Sequence, residues 1–246
     1  MNKWLGVMVW MVAAQAAAEP VVIPAGSYKP IVVLDETVTD LAMAAFRLDA
    51  TPVTFAQYLE FVKSYEKWQK DQIPAIFHDG HYLNNWPDSL TIPAGHENKA
   101  VTQVSWFAAR AYCAAQGGRL PTLDEWEYAS LVYRQQQGLS DQAYAQQLFG
   151  WHSNPTAFSA QDVQVNSDQL AHMHDRVNEW VDDFQLLMTS GDDTDILSGS
   201  CGDSARFLTD LGEASYATFF RYQSRSNYRP QSTTSTLGFR CAYDME

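Results

Sequence analysis

The side chains with the greatest chemical reactivity in this sequence are three cysteines, Cys113, Cys201 and Cys241. A thiolate is a nucleophile, a soft metal ligand and a disulfide former, and its surroundings decide which role it takes. In an oxidising compartment, an odd number of cysteines is most simply explained by one disulfide and one free thiol. These counts leave open which two cysteines pair.

Other patterns that could do chemistry are weaker. The segments His78-Asp79-Gly80-His81 and His172-Met173-His174 contain paired histidines. Neither has the ligand spacing of a zinc site or accompanies a cysteine couple, so a plain polar loop is favoured for the first. We find no paired carboxylates, no Ser-His-Asp order and no phosphate-binding glycine loop. The acidic run Asp124 to Glu127 is explained by the dipole of a helix start.

The composition limits the class of protein. The chain has 246 residues, of which 46% are hydrophobic and 18% charged, which suits a folded chain of one large domain or two small ones. Its formal net charge is −13, without a cluster of Lys and Arg, which argues against nucleic-acid and anionic-membrane partners. Aromatic residues make up 13%, including eight Trp, which favours a loop-rich fold pinned by large rings.

Residues 1–18 have the layout of a secretory signal peptide. Lys3 is followed by an apolar stretch over 4–14 and by the small residues Ala16-Ala17-Ala18. The stretch is too short to span a membrane, although an uncleaved anchor is the alternative. Cleavage after Ala18, or after Ala16 as second choice, would leave a domain over 19–246. Loss of one Lys and no acid changes the net charge from −13 to −14. We therefore expect a periplasmic or secreted protein with no membrane association after cleavage.

Three helix starts stand out in the sequence. Thr54 and Gln57 form a capping box, and so do Thr122 and Glu125, while Ser105 is a suitable cap for a helix over 106–116. The second capping box predicts a helix over about 123–134.

The other segments are predicted to be less regular. The predictions are a long surface loop over 71–98, an exposed Gln-rich insertion over 135–147, irregular chain to about 176, a buried strand or turn over 177–184, and strands and turns from 198 onward. We find no linker that would split the chain, so one mixed domain of helices and strands is expected.

Several motifs, in order along the chain, resemble the formylglycine-generating enzyme family, also called sulfatase-modifying factors. They are Ile23-Pro24-Ala25-Gly26, Pro52-Val53-Thr54 with Gln57-Tyr58, Ala111-Tyr112-Cys113, Arg119-Leu120-Pro121-Thr122 with Glu125-Trp126-Glu127-Tyr128-Ala129, Glu179-Trp180-Val181, Gly199-Ser200 and Gly238-Phe239-Arg240. The resemblance implies an α+β, C-type-lectin-like fold in a single compact domain. It also implies a disulfide between Cys113 and Cys241, which leaves Cys201 over.

The sequence departs from the family at the copper site. Family enzymes oxidise a substrate cysteine with oxygen, using two thiolates that bind Cu(I). Here Cys201 directly follows Gly199-Ser200, and the second copper cysteine falls at Ala217. The resemblance therefore argues against sulfatase activation and makes copper the less expected cofactor.

The resemblance assigns the remaining site residues. Ser200 falls on the active-site Ser of the family, and Arg221 and Arg225 match its pocket wall. The two arginines would bind a carboxylate substrate or lower the pKa of Cys201. The alternatives are a core ion pair for the arginines and a small buried side chain for Cys201.

A structural calcium site is the one metal site that the resemblance suggests. Glu179 matches the ligand Glu of the family, but His172 replaces the usual Asn, and Asp182 and Asp183 are the residues that could compensate. The alternative is that Glu179 pairs with Arg176 or another base.

Two classes of function remain. The first is maturation or oxidation of a periplasmic protein or secreted metabolite, as an oxidoreductase of this family's type. The second is a non-catalytic, lectin-like module that binds a ligand or protein through loops 71–98 and 185–198, with Trp86, Tyr82 and Asn84-Asn85. A true formylglycine-generating enzyme is the least favoured interpretation.

Overall fold

The computed structural model describes residues 20–30, 40–163, 168–184, 212–226 and 228–245, with the side chains of 213, 220 and 222–226 excepted. The expected signal peptide lies outside these residues. The α-helices are α1 (Phe55–Ser64), α2 (Trp106–Ala115), α3 (Leu123–Gln136), α4 (Asp141–Ser153), α5 (Pro155–Ser159) and α6 (Glu213–Ser226), and Glu66–Trp68 and Ala75–Phe77 form 3-10 turns. The strands are β1 (Val21–Ile23), β2 (Gly26–Tyr28), β3 (Leu41–Met43), β4 (Phe46–Leu48), β5 (Asn178–Glu179), β6 (Leu237–Gly238) and β7 (Ala242–Asp244).

The strands form three small sheets. The largest has the order β1-β4-β7 and is antiparallel, with Val21 opposite Leu48 and Phe46 opposite Asp244. Strands β2 and β3 pair antiparallel, and β5 pairs with β6 in parallel. The fold is thus α+β, and it brings the two chain ends of the described part into one sheet. None of the helices in the described segments is long and apolar enough to cross a bilayer.

The three predicted helix starts are confirmed. Thr54 accepts a hydrogen bond from the Gln57 amide at 3.2 Å, and the Gln57 side chain accepts one from the Thr54 amide at 2.8 Å. Thr122 and Glu125 form the same reciprocal pair at 3.1 and 2.8 Å. Ser105 accepts from the Ala108 amide at 3.3 Å. Each cap satisfies backbone donors that the first helical turn leaves free.

Three sequence predictions were wrong. The segment 135–147 is no exposed insertion, because it contains the end of α3 and the first half of α4. The segment predicted to be irregular to about 176 contains the end of α4 and all of α5, and the region after 198 contains α6 as well as strands and turns. The side chains that bury the two helices against each other come from both: Tyr144, Ala145, Leu148, Ala214 and Ala217. We call α4 and α6 the helix pair. It has its own small apolar core, separate from the main core.

The main core contains a disulfide and a group of aromatic rings in mutual contact. Cys113 and Cys241 are joined, with their Cα atoms 5.4 Å apart, as the family resemblance implied. The rings of Tyr58, Tyr112 and Phe239 contact one another next to this bond, at centroid distances of 5.3 to 6.1 Å. The bond closes a loop of 128 residues. In the chain-entropy model this is worth roughly 4–5 kcal/mol, and usually less in practice.

Candidate functional site

Only part of the predicted site lies in the described residues. Ser200 and Cys201 fall outside them, and for Arg225 the structure describes the backbone within α6 but not the side chain. Arg221, one turn earlier in the same helix, is described in full. Its surroundings therefore show what α6 presents to the rest of the molecule.

Arg221 is buried and neutralised by a carboxylate. Its Nη2 donates to Glu127 Oε2 of α3 in a close ion pair. Its Nη1 donates to the Tyr144 hydroxyl and to His174 Nδ1, both at 3.1 Å. The guanidinium carbon lies 4.6 Å from the centre of the Trp126 ring, a cation–π distance. Of the two roles left open for Arg221, this geometry is that of the core ion pair.

The hydrogen bonds around Arg221 have a fixed direction. A guanidinium has only donors, so His174 Nδ1 must present a lone pair, and its Nε2–H then donates to Ser130 Oγ at 2.9 Å. The imidazole is therefore neutral. The Tyr144 hydroxyl oxygen accepts the hydrogen bond from Arg221, and its O–H donates to Thr218 Oγ1 at 2.7 Å, while Thr218 donates to the Ala214 carbonyl. We call Glu127, Ser130, Tyr144, His174, Thr218 and Arg221 the Arg221 cluster.

The Arg221 cluster lies between the helix pair and the main core, and a pocket adjoins it on each of two sides. The smaller pocket is lined by Trp151, His152 and Met173 next to Arg221. Burial, and then the charge of Arg221, lower the pKa of His152 from 6.5 to about 4. The larger pocket, about 80 Å³, is lined by Tyr28, Lys29, Glu127, Ser130, Leu131, Arg134, Tyr144 and Thr218. We call it the seam pocket.

Sequence reasoning missed most of the Arg221 cluster. The His172-Met173-His174 segment was found to lack the spacing of a zinc site, and Glu127 was assigned to a helix start and a family motif, so neither was linked to Arg221. Glu127 is buried, and so is Ser130, three residues further along the same face of α3. A carboxylate on a buried helix face indicates that a positively charged partner lies opposite it. That partner is 94 residues away in the sequence, so local spacing could not name it.

The second predicted site, at Glu179, is occupied by a different cation. Arg240 donates to both Glu179 oxygens, from Nε at 2.7 Å and from Nη2 at 2.8 Å. The same guanidinium donates to four main-chain carbonyls at 3.0 to 3.2 Å, those of Asp49, Ala50, Ala171 and His172. Trp126 Nε1 adds a third bond to Glu179, at 2.8 Å. We call this arrangement the Arg240 cage.

The residues around Glu179 do not fit the expected calcium ion. A calcium ion at this carboxylate would have to displace Arg240, which already donates hydrogen bonds to the carboxylate and carbonyl oxygens that calcium needs as ligands. The His172 ring turns to Asp175 instead, with Nδ1 3.0 Å from Oδ1. Asp183 accepts from the Leu123 amide at 2.6 Å. Among the residues with described positions, no group of three or more His, Cys, Asp or Glu could hold a metal ion.

The loop over 71–98 also differs from its predicted role. Trp86 and Tyr82 are buried, and the Tyr82 hydroxyl contacts that of Tyr58 at 2.7 Å, so neither ring is free to grip a ligand. Asn84 and Asn85 are exposed. The loop is fixed to the C-terminal part of the chain, where Asp79 accepts bonds from the Thr233 amide and hydroxyl.

Comparison with known families agrees with the motifs. The family described as "Sulfatase-modifying factor enzyme 1-like domain" matches residues 9–245. The chain belongs to this family. The α+β architecture and the Cys113–Cys241 disulfide of this structure agree with what the motif resemblance implied.

The proteins similar to this chain include one named as an enzyme and one named as inactive. A formylglycine-generating enzyme of Streptomyces coelicolor is 32% identical over 177 residues, which cover 62% of this chain and 55% of that enzyme. The chain therefore spans about half the length of that relative. The inactive C-alpha-formylglycine-generating enzyme 2 of Mus musculus is 27% identical, covering 82% of this chain and 76% of that protein. The structure of PvdO from Pseudomonas aeruginosa aligns over 92% of this chain and 94% of that chain, with 17% identity and a TM-score of 0.47.

One position of the family's copper pair can be located in this sulfatase-modifying-factor-like chain. Ala217, where counting places the second copper cysteine, is fully buried within the helix pair. A methyl group there packs against α4, which is a structural role.

Proposed function

We propose that this sulfatase-modifying-factor-like protein is exported and acts in the maturation or oxidation of a periplasmic protein or a secreted metabolite. The observation that carries the proposal is the Cys113–Cys241 disulfide, because it leaves Cys201 as the third cysteine of the chain. Cys201 directly follows Ser200, which matches the active-site Ser of the family. The reactive group in the proposal is the Cys201 thiol.

Export is supported by two independent features. Residues 1–18 have the three-part layout of a signal peptide, and a long-range disulfide is typical of proteins that fold in an oxidising compartment. The expected mature protein begins at Glu19. Intact mass of the protein recovered from the periplasm or medium of an expressing cell tests this, and a chain that keeps Met1 would contradict export by cleavage.

The arginines receive different roles in the proposal. Arg221 is a positioning residue, because its ion pair with Glu127 holds α6 to α3. Arg225, one turn further along α6, is the residue proposed to face the substrate with Cys201 and Ser200. Sulfatase activation is not proposed, since Ala217 replaces a copper thiolate.

Thiol alkylation without reductant tests the function at its reactive group. We expect native protein to take one alkyl group, mapped by peptide mass to Cys201, while Cys113–Cys241 stays intact. The Cys201→Ser variant should take none, and it is the matched control. Labelling of Cys201 only after denaturation would overturn the catalytic proposal.

The second candidate is a non-catalytic module that binds a ligand or protein. The neutralisation of Arg221 by Glu127 favours it, because that guanidinium is not free to bind a substrate carboxylate. The alkylation experiment separates the two: an inert Cys201 in the folded protein favours the module. A sulfatase-derived cysteine peptide incubated with the protein and Cu(I) should stay unconverted under either candidate.

A further inference from the structure

The boundary between the helix pair and the main core contains a pocket that neither candidate function uses. The seam pocket has walls from both sides: Tyr28, Lys29 and α3 belong to the core side, and Tyr144 and Thr218 to the helix pair. Small-molecule sites occur preferentially at such boundaries between packed units. The seam pocket has a volume of about 80 Å³. A buried water needs roughly 10–15 Å³ on this measure, so the pocket has room for about six heavy atoms.

The walls of the seam pocket are about equally polar and apolar, and their charged side chains give a net positive charge. Glu127 is neutralised by Arg221, and Arg134 by Asp141, so within the described part of the chain the exposed Lys29 is the lining charge without an ion pair. Hydroxyl groups of Ser130, Tyr144 and Thr218 line the inner wall. A small ligand with a negative charge and a hydroxyl group matches the charged and hydroxyl groups of this lining.

Arg134 gives an independent indication of a ligand. Its guanidinium carbon lies over the Tyr144 ring, 4.1 Å from the ring centre, and Nη2 pairs with the exposed Asp141. Its Nε–H is buried and has no acceptor among the described residues. A buried donor of this kind is rare in folded proteins and calls for an acceptor from water or a ligand. In the seam pocket, a carboxylate next to Lys29 and Arg134 would supply it.

We propose that the seam pocket binds a small hydroxycarboxylate, with its carboxylate between Lys29 and Arg134 and its hydroxyl toward Ser130, Tyr144 and Thr218. Because the ligand contacts both sides, binding stabilises the attachment of the helix pair to the core. The described residues that line the seam pocket carry the proposal, and binding needs no covalent step. The proposal does not depend on whether the protein is catalytic.

L-lactate, with six heavy atoms, is the probe, and the neutral lactamide is its matched control. Ligand-observed NMR and calorimetry at constant ionic strength should show saturable binding of lactate and none of lactamide. Equal binding of the two compounds, or no saturable binding of lactate at millimolar concentration, would overturn the proposal.

Four variants locate the site. Arg134→Gln should weaken lactate binding at least about tenfold, because a charge-assisted hydrogen bond is lost. Lys29→Gln should weaken it about threefold, since an exposed charge contributes little. Asp141→Asn removes the ion pair of Arg134 but keeps the guanidinium, so binding should persist, and this separates ligand contact from helix packing. Lys63→Gln, an exposed lysine far along α1, should change nothing. Wild-type affinity in Arg134→Gln and Lys29→Gln together would place any binding elsewhere.

Discussion

Two buried arginine–glutamate pairs hold different parts of this molecule, and they are built in different ways. In the Arg240 cage neither side chain has any exposed area, and four main-chain carbonyls share the guanidinium with Glu179. In the Arg221 cluster the two side chains are 5% and 6% exposed, and the additional partners are the side chains of Tyr144 and His174. Trp126 contacts both pairs, through its Nε1–H and through its ring face.

The difference shows which pair can change without loss of the fold. Main-chain carbonyls cannot be mutated away, so an apolar replacement of Arg240 removes the guanidinium donor from the carbonyls of Asp49, Ala171 and His172. Side-chain partners can re-pair with each other or with water in the adjoining pockets. We infer that the fold requires the Arg240 cage, while the residues of the Arg221 cluster can be changed with less effect on the fold.

The largest expected effect is in the Arg240 cage. Arg240→Met should lower the free energy of unfolding by about 3–5 kcal/mol, because it leaves a buried carboxylate unpaired. Adding Glu179→Gln should recover little, since the carbonyls of Asp49, Ala171 and His172 still lack the guanidinium donor, whereas that of Ala50 keeps the Ala171 amide. Urea denaturation measures both. Arg110→Gln is the control, because this guanidinium is exposed and should contribute less than about 1 kcal/mol.

In the Arg221 cluster, the single substitution should lower the free energy of unfolding by less, and the double substitution should restore more of it. Arg221→Met should cost about 2–3 kcal/mol, and the double variant with Glu127→Gln should regain at least about half of that, because the buried charge is gone and the hydroxyl partners can re-pair. The same denaturation series measures it. A double variant no more stable than the single one would remove the contrast between the two pairs.

Lowering the pH should increase the contribution that Asp49, next to Arg240, makes to the free energy of unfolding. Burial raises the pKa of Asp49 from 3.8 to about 6, against the lowering effect of hydrogen bonds from the Cys241 amide and Tyr243 and of the charge of Arg240. The folded state thus holds the proton more tightly than the unfolded state, so this contribution to stability rises as pH falls from about 6 to 4. It amounts to about 2 kcal/mol after allowance for solvent contact. Asp49→Asn should flatten this part of the pH profile, whereas the exposed Glu60→Gln should leave it unchanged.

Lowering the pH should reduce the free energy of unfolding through His152, next to Arg221, and this effect should be smaller than that of Asp49. The unfolded chain protonates His152 near pH 6.5, while the folded state resists protonation down to about pH 4, so stability is lost between these values. With screening by solvent, the loss is about 1 kcal/mol. His152→Gln should remove it. In Arg221→Met the pKa of His152, followed by NMR, should rise toward its ordinary value, and an unchanged pKa would show that burial alone sets it.

Local sequence patterns were sufficient for the helix starts. Thr54, Ser105 and Thr122 each cap a helix through a residue three positions away, so the whole interaction lies within one turn. The disulfide and the fold class followed from the family motifs, since no local rule pairs Cys113 with Cys241.

The helix pair and both ion pairs lay beyond local reasoning for physical reasons. The segment before and within α4 is rich in Gln, which masks the helical spacing of Tyr144, Leu148 and Trp151. Its burial depends on α6, some 70 residues later, which only the folded chain brings near. Likewise Glu179 and Arg240 are 61 residues apart, and either one alone matches several partners.

The Arg240 cage has a consequence for how the protein responds to its surroundings. A cation that is part of the chain has an effective concentration that dilution cannot lower, and no chelator removes it. This corner of the fold therefore assembles with the chain itself and needs no ion from the compartment. Calcium or EDTA added to the folded protein should leave the packing of Glu179 against Arg240 as it is, so the molecule keeps its core in fluids whose divalent-ion content varies.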